Sequence, residues 1–248
     1  MNTIYILWLR QIKKYLRSKT RIIGSLGQPL LFLVALGFGF GPIFQKAGQG
    51  NYIQFLAPGI IAMSILFTAI FAGIEVIWDR QFGFLKETLV APVSRLKIMI
   101  GRTLGGATVS VFQGTLVFLI SLLVGFRPTN LSLLPITFLF MVMIALFFTA
   151  LGTAIASVMN DMQGFHLIMS FLVMPTFFLS GALFPLTNLP TAISIITKLN
   201  PLTYGVAGIR DTLVNSVHLG LFTNALVLGA LTVVIMGIGS YFFSKIQV

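Results

Sequence analysis

The sequence predicts an all-α integral membrane protein. It should have six transmembrane helices, an N-terminal amphipathic interfacial helix, a charged cytoplasmic helix between the second and third spans, and short outer re-entrant helices between the fifth and sixth. Three observations carry this prediction. First, 57% of the 248 residues are hydrophobic and only 8% are charged, whereas a soluble domain has roughly 25% charged residues. The exterior must therefore face lipid. Second, six runs reach the about 20 apolar residues needed to cross a bilayer. Third, the 16 Lys and Arg residues, against 5 Asp and Glu, gather between those runs, as expected for loops that fix orientation. Basic charge so placed points to the lipid bilayer and not to nucleic acid. With no cysteine, disulfides, thiolate metal sites and cysteine nucleophiles are excluded.

Residues 1–20 come first. Tyr5, Trp8, Ile12 and Leu16 recur at helical spacing on one face, with Arg10, Lys13, Lys14 and Arg17 on the other. This reads as a basic amphipathic helix lying in an anionic headgroup layer as an elbow into the first span. An unstructured basic anchor is the alternative. The spans follow at 22–44, 53–78, 103–126, 131–158, 165–186 and 219–243. The first is longer than the about 7–15 apolar residues of a signal peptide and lacks a small-residue cleavage pattern, so it reads as a retained anchor. The fourth is long enough to tilt. None alternates as a lipid-facing barrel strand does. Placing the N-terminus in the cytoplasm puts twelve basic residues on that side and four (Lys46, Arg127, Lys198 and Arg210) on the other; both termini are then cytoplasmic.

Polar residues within this frame are few. Glu75 is the acid within an assigned span, near its cytoplasmic end, and Asp79 lies one turn on. Like charges at that spacing repel unless paired, and Arg102 opens the next span on the same side. A salt bridge among Glu75, Asp79 and Arg102 fits that depth better than a proton relay. Gln28, Gln113 and Asn224 can hydrogen-bond between helices or meet cargo. Gly37/Gly41 and Gly101/Gly105 form GxxxG pairs suited to close helix packing within the chain. Pro58, Pro135 and Pro175 are candidate bend points. His166 and His218 fall on opposite sides and make no metal site together. The outer segment 187–218 is too apolar for a free loop, and Pro185, Pro190 and Pro201 cut it into short pieces. Irregular backbone at that depth must be covered by protein or water.

The segment 79–97, DRQFGFLKETLVAPVSRLK, carries six of the chain's charged residues. Phe82, Leu85 and Leu89 are spaced i, i+3, i+7, so a short helix there has one apolar face flanked by Arg80, Lys86 and Glu87. It should end at Ala91, before Pro92. A charged amphipathic helix between two spans suits docking of a soluble partner; a plain interfacial connector is the alternative.

Two stretches carry a family resemblance. In RQFGFLKETLVAPVS, Gly83, Lys86, Glu87, Leu89 and Pro92 fit a G-x-x-[KE]…L-x-x-P pattern. In LSGALFPLTNLP and LNPLTYGVAGIR, the matching residues are Ser180, Gly181, Phe184, Pro185, Leu189, Pro190, Asn200, Pro201, Tyr204 and Arg210. Together on a six-span frame they resemble type-2 ATP-binding-cassette (ABC) exporter permeases, including the daunorubicin-resistance-like group. The resemblance implies that Arg80, Phe82, Gly83, Leu85, Lys86, Glu87, Leu89 and Pro92 belong to a coupling helix that docks on a separate ABC ATPase subunit. It implies two ATPase copies, a second permease copy as a homodimer, and residence in a bacterial or archaeal cytoplasmic membrane. It also implies ATP and Mg²⁺ on the partner, with no cofactor, metal or catalytic residue in this chain. The sequence contains no G-x-x-x-x-G-K-[ST] loop; GFGFG at 37–41 lies in a span and lacks the Lys. The implied cargo is hydrophobic or amphiphilic, drug- or lipid-like. The alternatives are a polysaccharide or lipid-linked glycan exporter and, from another class, an ion-coupled secondary transporter, which would need a midplane ionisable residue. A membrane-embedded hydrolase would need a nucleophile–base signature, and no such motif occurs.

Overall fold

A computed structural model describes residues 3–48, 50–84, 93–159, 161–186, 190–214 and 220–245. These residues form α1 (Thr3–Arg17), α2 (Lys19–Lys46), α3 (Tyr52–Phe71), α4 (Ile74–Gln81), α5 (Arg95–Val124), α6 (Leu134–Val158), α7 (Met162–Phe178), α8 (Thr191–Leu199), α9 (Pro201–Val214) and α10 (Leu221–Ser244). A 3₁₀ turn, Leu131–Leu133, leads into α6. Among the described residues no strand is present.

Among the described residues, five helices are long and apolar enough to cross a membrane: Lys19–Lys46, Tyr52–Gln81, Arg95–Val124, Leu131–Val158 and Leu221–Phe243. The expected run 165–186 is instead the 17-residue apolar helix α7. At 1.5 Å per residue it is about 25 Å long, shorter than the about 30 Å hydrocarbon core. It stops because Leu179–Gly181 turn away, with Gly181 at φ +74°, a conformation that favours glycine.

The α3 helix is the axis of the bundle. It packs against α2, α5, α6 and α9, and Leu56, Ile60, Ile61 and Ile65 are wholly buried. By contrast α2 and α10 are largely exposed, as lipid-facing helices should be. The helix breaks at Ala72–Gly73 before resuming as α4. There Gly73 lies against the backbone of Gly152 and Gly152 against that of Ile70, with no room for a Cβ at either. Glycine thus brings the α3–α4 joint backbone to backbone with α6. The three prolines named as bend points are not equivalent: Pro58 and Pro175 lie inside helices, but Pro135 sits in the first turn of α6, where proline fits without a kink.

The N-terminal helix differs from expectation in the face it uses. It lies along α5, burying Leu7, Gln11 and Tyr15, while Tyr5 and Leu16 remain exposed. The cause is on α5: Gly101 faces Ile4 and Leu7, and Gly105 faces Gln11, so the glycine pair forms a groove for α1. The Tyr15 hydroxyl donates to Gln113 Oε1 at 2.5 Å and Trp8 Nε1 donates to Thr108 Oγ1 at 3.0 Å. Burial pushes the Tyr15 phenol above its ordinary pKa, with Ser25 and Arg21 pulling the other way.

Candidate coupling site and permeation surfaces

The short helix α4 leads directly into the charged segment, and its side chains reach five neighbouring helices. Asp79 receives both guanidinium nitrogens of Arg10 from α1, at 3.0 and 3.1 Å, and Arg102 Nη2 from α5 at 2.5 Å. Glu75 is met by Arg21 of α2 at 2.8 Å and Lys14 of α1 at 3.3 Å. Both carboxylates are buried, and Arg102 is only 3% exposed. Arg102 therefore makes its salt bridge to Asp79, with Glu75 acting on it only through charge, and Glu75 takes its paired cations from α1 and α2. Arg10 and Lys14 were expected on the headgroup face; the glycine groove rotates α1 so that they turn inward. Four cations face two carboxylates, so the cluster keeps a positive excess.

The remaining ties of α4 run to α6 and α7. Arg80 donates to the carbonyls of Ser157 and Met159 at 2.8 and 2.9 Å, capping the C-terminus of α6, where a cation is favoured. It was expected to flank a docking helix; the unsatisfied carbonyls draw it into the bundle instead. Trp78 Nε1 contacts Met162 Sδ of α7 at 2.8 Å. Beyond α4, Phe82 is 81% exposed and Gly83 takes φ +81°, which a side chain would strain. Arg10 stacks on the Phe84 ring at 3.8 Å. Leu85, Lys86, Glu87, Leu89 and Pro92 lie outside the described residues.

The outer motif residues come together as a stitched junction. Asn200 Nδ2 donates to Thr176 O at 2.6 Å, while its Oδ1 accepts from Leu202 N at 3.0 Å; Pro201 opens α9. The side chain thus caps α9 and holds it to α7. Ser180 Oγ donates to Phe177 O and accepts from Ala182 N. Tyr204 donates to Lys198 O. Arg210 Nη2 donates to Gly181 O at 2.8 Å and Phe55 O at 3.2 Å. Phe184 is exposed and Pro185 half-buried. Leu189 lies outside the described residues.

Of the three amide side chains singled out in the spans, two make interhelical bonds: Gln113 to Tyr15, and Asn224 Nδ2 to Asp211 Oδ2 at 3.3 Å. Gln28 lines a cavity of about 210 Å³ between α2 and α3, with Ser25, Ser64, Thr68, Phe67 and Phe71. His166 packs its ring beside Phe71; His218 lies outside the described residues. Among the described residues no group of three or more His, Asp or Glu could hold a metal.

Sequence reasoning missed Arg10, Lys14 and Arg21 as partners of the α4 acids. Arg10 and Lys14 are spaced i, i+4 and share a helix face, which was a usable signal. Nothing local connects Arg21 to Glu75, 54 positions away.

Comparison with known proteins agrees with this architecture. Residues 2–214 match the family model described as ABC-2 type transporter. The chain is similar to the ycf38 protein of Cyanophora paradoxa, whose name describes a transport permease: 30% identity over 217 residues, covering 85% of this chain and 73% of that protein. It is also similar to nodulation protein J of Rhizobium meliloti, with 28% identity over 211 residues, 83% of this chain and 79% of the relative. The same holds for nodulation protein J of Bradyrhizobium diazoefficiens, with 28% identity over 216 residues, 86% and 80% of the two chains. With a family match across most of its length on an all-helical membrane bundle, the chain belongs to the ABC-2 type transporter family, as a membrane-spanning permease subunit of an ABC exporter.

Proposed function

We propose that this permease works with two copies of a separate ABC ATPase and a second copy of itself, exporting hydrophobic or amphiphilic compounds across the cytoplasmic membrane, with both termini inside. ATP and Mg²⁺ bind on the ATPase. The observation that carries the coupling assignment is α4. It is tied by side chains to α1, α2, α5, α6 and α7, and it ends at an exposed Phe82. A push on residues 79–97 therefore reaches most of the bundle. Nucleotide-driven closure of the ATPases would move this segment, and α4 would carry the motion to its neighbours as a rigid unit.

The α2–α3 cavity supports the cargo class. It combines the Ser25, Gln28, Ser64 and Thr68 side chains with the Phe67 and Phe71 rings, a mixture suited to an amphiphile. A second permease copy placed against the exposed α2 face would enclose it. The gathering of Arg10, Lys14, Arg21 and Arg102 at one end of the bundle supports a cytoplasmic assignment for that end.

The test is reconstitution with the partner ATPase. Phe82→Ala, Glu87→Ala and Pro92→Ala should each lower permease-stimulated ATP hydrolysis at least tenfold while leaving membrane insertion intact. Normal stimulation in all three would overturn the coupling assignment.

A further inference from the structure

The four ion pairs among the described residues gather at the α4 end of the bundle, yet a second buried cation sits at the other end. Arg210 of α9 is only 7% exposed. Its Nη2 donates to two carbonyls and its guanidinium lies over the Phe55 ring at 4.0 Å. Nε is buried without a partner, and Nη1 donates to none of the described residues. Asp211, its sequence neighbour, accepts from Asn224 at 3.3 Å and acts on Arg210 through its charge alone, because successive residues of a helix do not face each other. Arg210 is therefore a buried charge held by two carbonyl dipoles, a ring and the field of Asp211, and it forms no salt bridge with a described carboxylate. Burying a charge in this way is costly unless an anion completes the site.

A cavity of about 400 Å³ lies at this point, with Arg210 in its wall. Thr203 is a second unsatisfied group there: it is 8% exposed and its hydroxyl has no hydrogen-bond partner. Lys198 adds another cation to the wall, whereas Phe55, Leu186 and Val227 supply apolar surface. One wall helix, α8, turns Ile195, Ile196 and Leu199 outward, so the cavity adjoins a surface suited to lipid. Volumes of roughly 300–1,000 Å³ hold small ligands. Cationic and apolar walls side by side select a molecule that is both anionic and oily.

We propose that the cavity between α8, α9 and α10 is a binding site for an anionic amphiphile, with the phosphate or carboxylate head at Arg210, Thr203 and Lys198 and the chain along Leu186 and Val227. The inference rests on the membrane-exporter reading above and adds to it an anion site on the outer face.

The test uses the full chain, purified in a neutral glycoside detergent, with three probes. These are lysophosphatidylglycerol, lysophosphatidylcholine of the same chain length, and glycerol 3-phosphate. Thermal shift and native mass spectrometry should show one lysophosphatidylglycerol per chain, bound at least tenfold more tightly than lysophosphatidylcholine, with no response to glycerol 3-phosphate. Ala207→Leu fills the cavity and leaves the Arg210 hydrogen bonds in place; it should abolish binding. Lys198→Gln should weaken binding several-fold. Arg210→Gln should also remove binding, but it releases two carbonyl contacts and can unfold the outer junction, so Ala207→Leu decides. Equal affinity for the two lysolipids would overturn the proposal. So would unchanged binding in Ala207→Leu, or binding of glycerol 3-phosphate as tight as that of the lysolipid. The source of the ligand is read with the partner ATPase present. Turnover stimulated by lysophosphatidylglycerol in the wild type and not in Ala207→Leu marks exported cargo. Binding without stimulation marks a resident lipid of the outer leaflet. Failure of the coupling assignment is a separate result, because Phe82→Ala leaves this cavity untouched.

Discussion

At the scale of single residues, the most consequential side chains are the two carboxylates on α4. Asp79 is buried between Arg102, also buried, and Arg10, which is about one-third exposed. The two cations are therefore not equivalent. Arg102→Leu strips Asp79 of the partner that cannot reach water, and breaking such a buried pair costs about 3–5 kcal/mol. Arg10→Ala removes a partly solvated partner and should cost distinctly less. The double variant Asp79→Leu/Arg102→Leu removes both buried charges, and Arg10 can turn to water. Its loss of stability should be smaller than the sum of the single losses, as expected for residues sharing a network. Thermal unfolding in detergent of the wild type, the single variants Asp79→Leu, Arg102→Leu and Arg10→Ala, and the double variant would measure this. Strictly additive losses would mean that the pair is not coupled.

At the scale of elements, the prediction concerns the docking of α1. A side chain at Gly105 would run into the Gln11 Cβ and Cγ. Gly105→Leu should therefore lift α1 from α5, taking Arg10 and Lys14 away from α4. The absence of native cysteine makes this simple to follow. A Trp8→Cys/Thr108→Cys pair should be joined by a short bifunctional thiol reagent, which replaces the span of the indole that reaches the Thr108 hydroxyl at 3.0 Å; a direct disulfide would need the Cβ atoms about 3.5–4.5 Å apart. Adding Gly105→Leu should reduce the crosslink at least tenfold; an undiminished yield would show that α1 is held by something else. This element also marks what the sequence could reveal. The spans were legible because apolar length in a bilayer is a local property, visible in any window of about 20 residues. The helicity of α1 was legible from its periodicity. Which face it buries was not, because that depends on two glycines about 90 positions further on. Likewise the fifth run was legible as apolar, yet its early end depends on the turn at Gly181 and the tie from Asn200 to Thr176. Arg80 was read as a surface charge because nothing nearby announces that the α6 carbonyls need a donor.

At the scale of the whole molecule, the coupling role proposed for α4 would divide into two steps that mutations should separate. The first would be contact between the charged segment and the ATPase, on the exposed side where Phe82 lies. The second would be transfer of that displacement into the bundle through the ties of Arg80, Asp79 and Glu75. If α4 acts as a rigid lever, cutting a buried tie should leave the first step intact and loosen the second. Arg80→Ala frees α4 from the end of α6 but leaves Phe82 in place. It should retain most permease-stimulated ATP hydrolysis while lowering transport per ATP several-fold. Phe82→Ala should lose stimulation itself, with transport falling in proportion. Measuring hydrolysis and transport in the same proteoliposomes distinguishes the two. A slack lever gives hydrolysis without movement of cargo, and a lost contact gives neither. If Arg80→Ala and Phe82→Ala lower both activities in the same ratio, α4 is not a separate transmission step. Force would then enter the bundle through the α5 side of the segment, where Arg95 begins the next span.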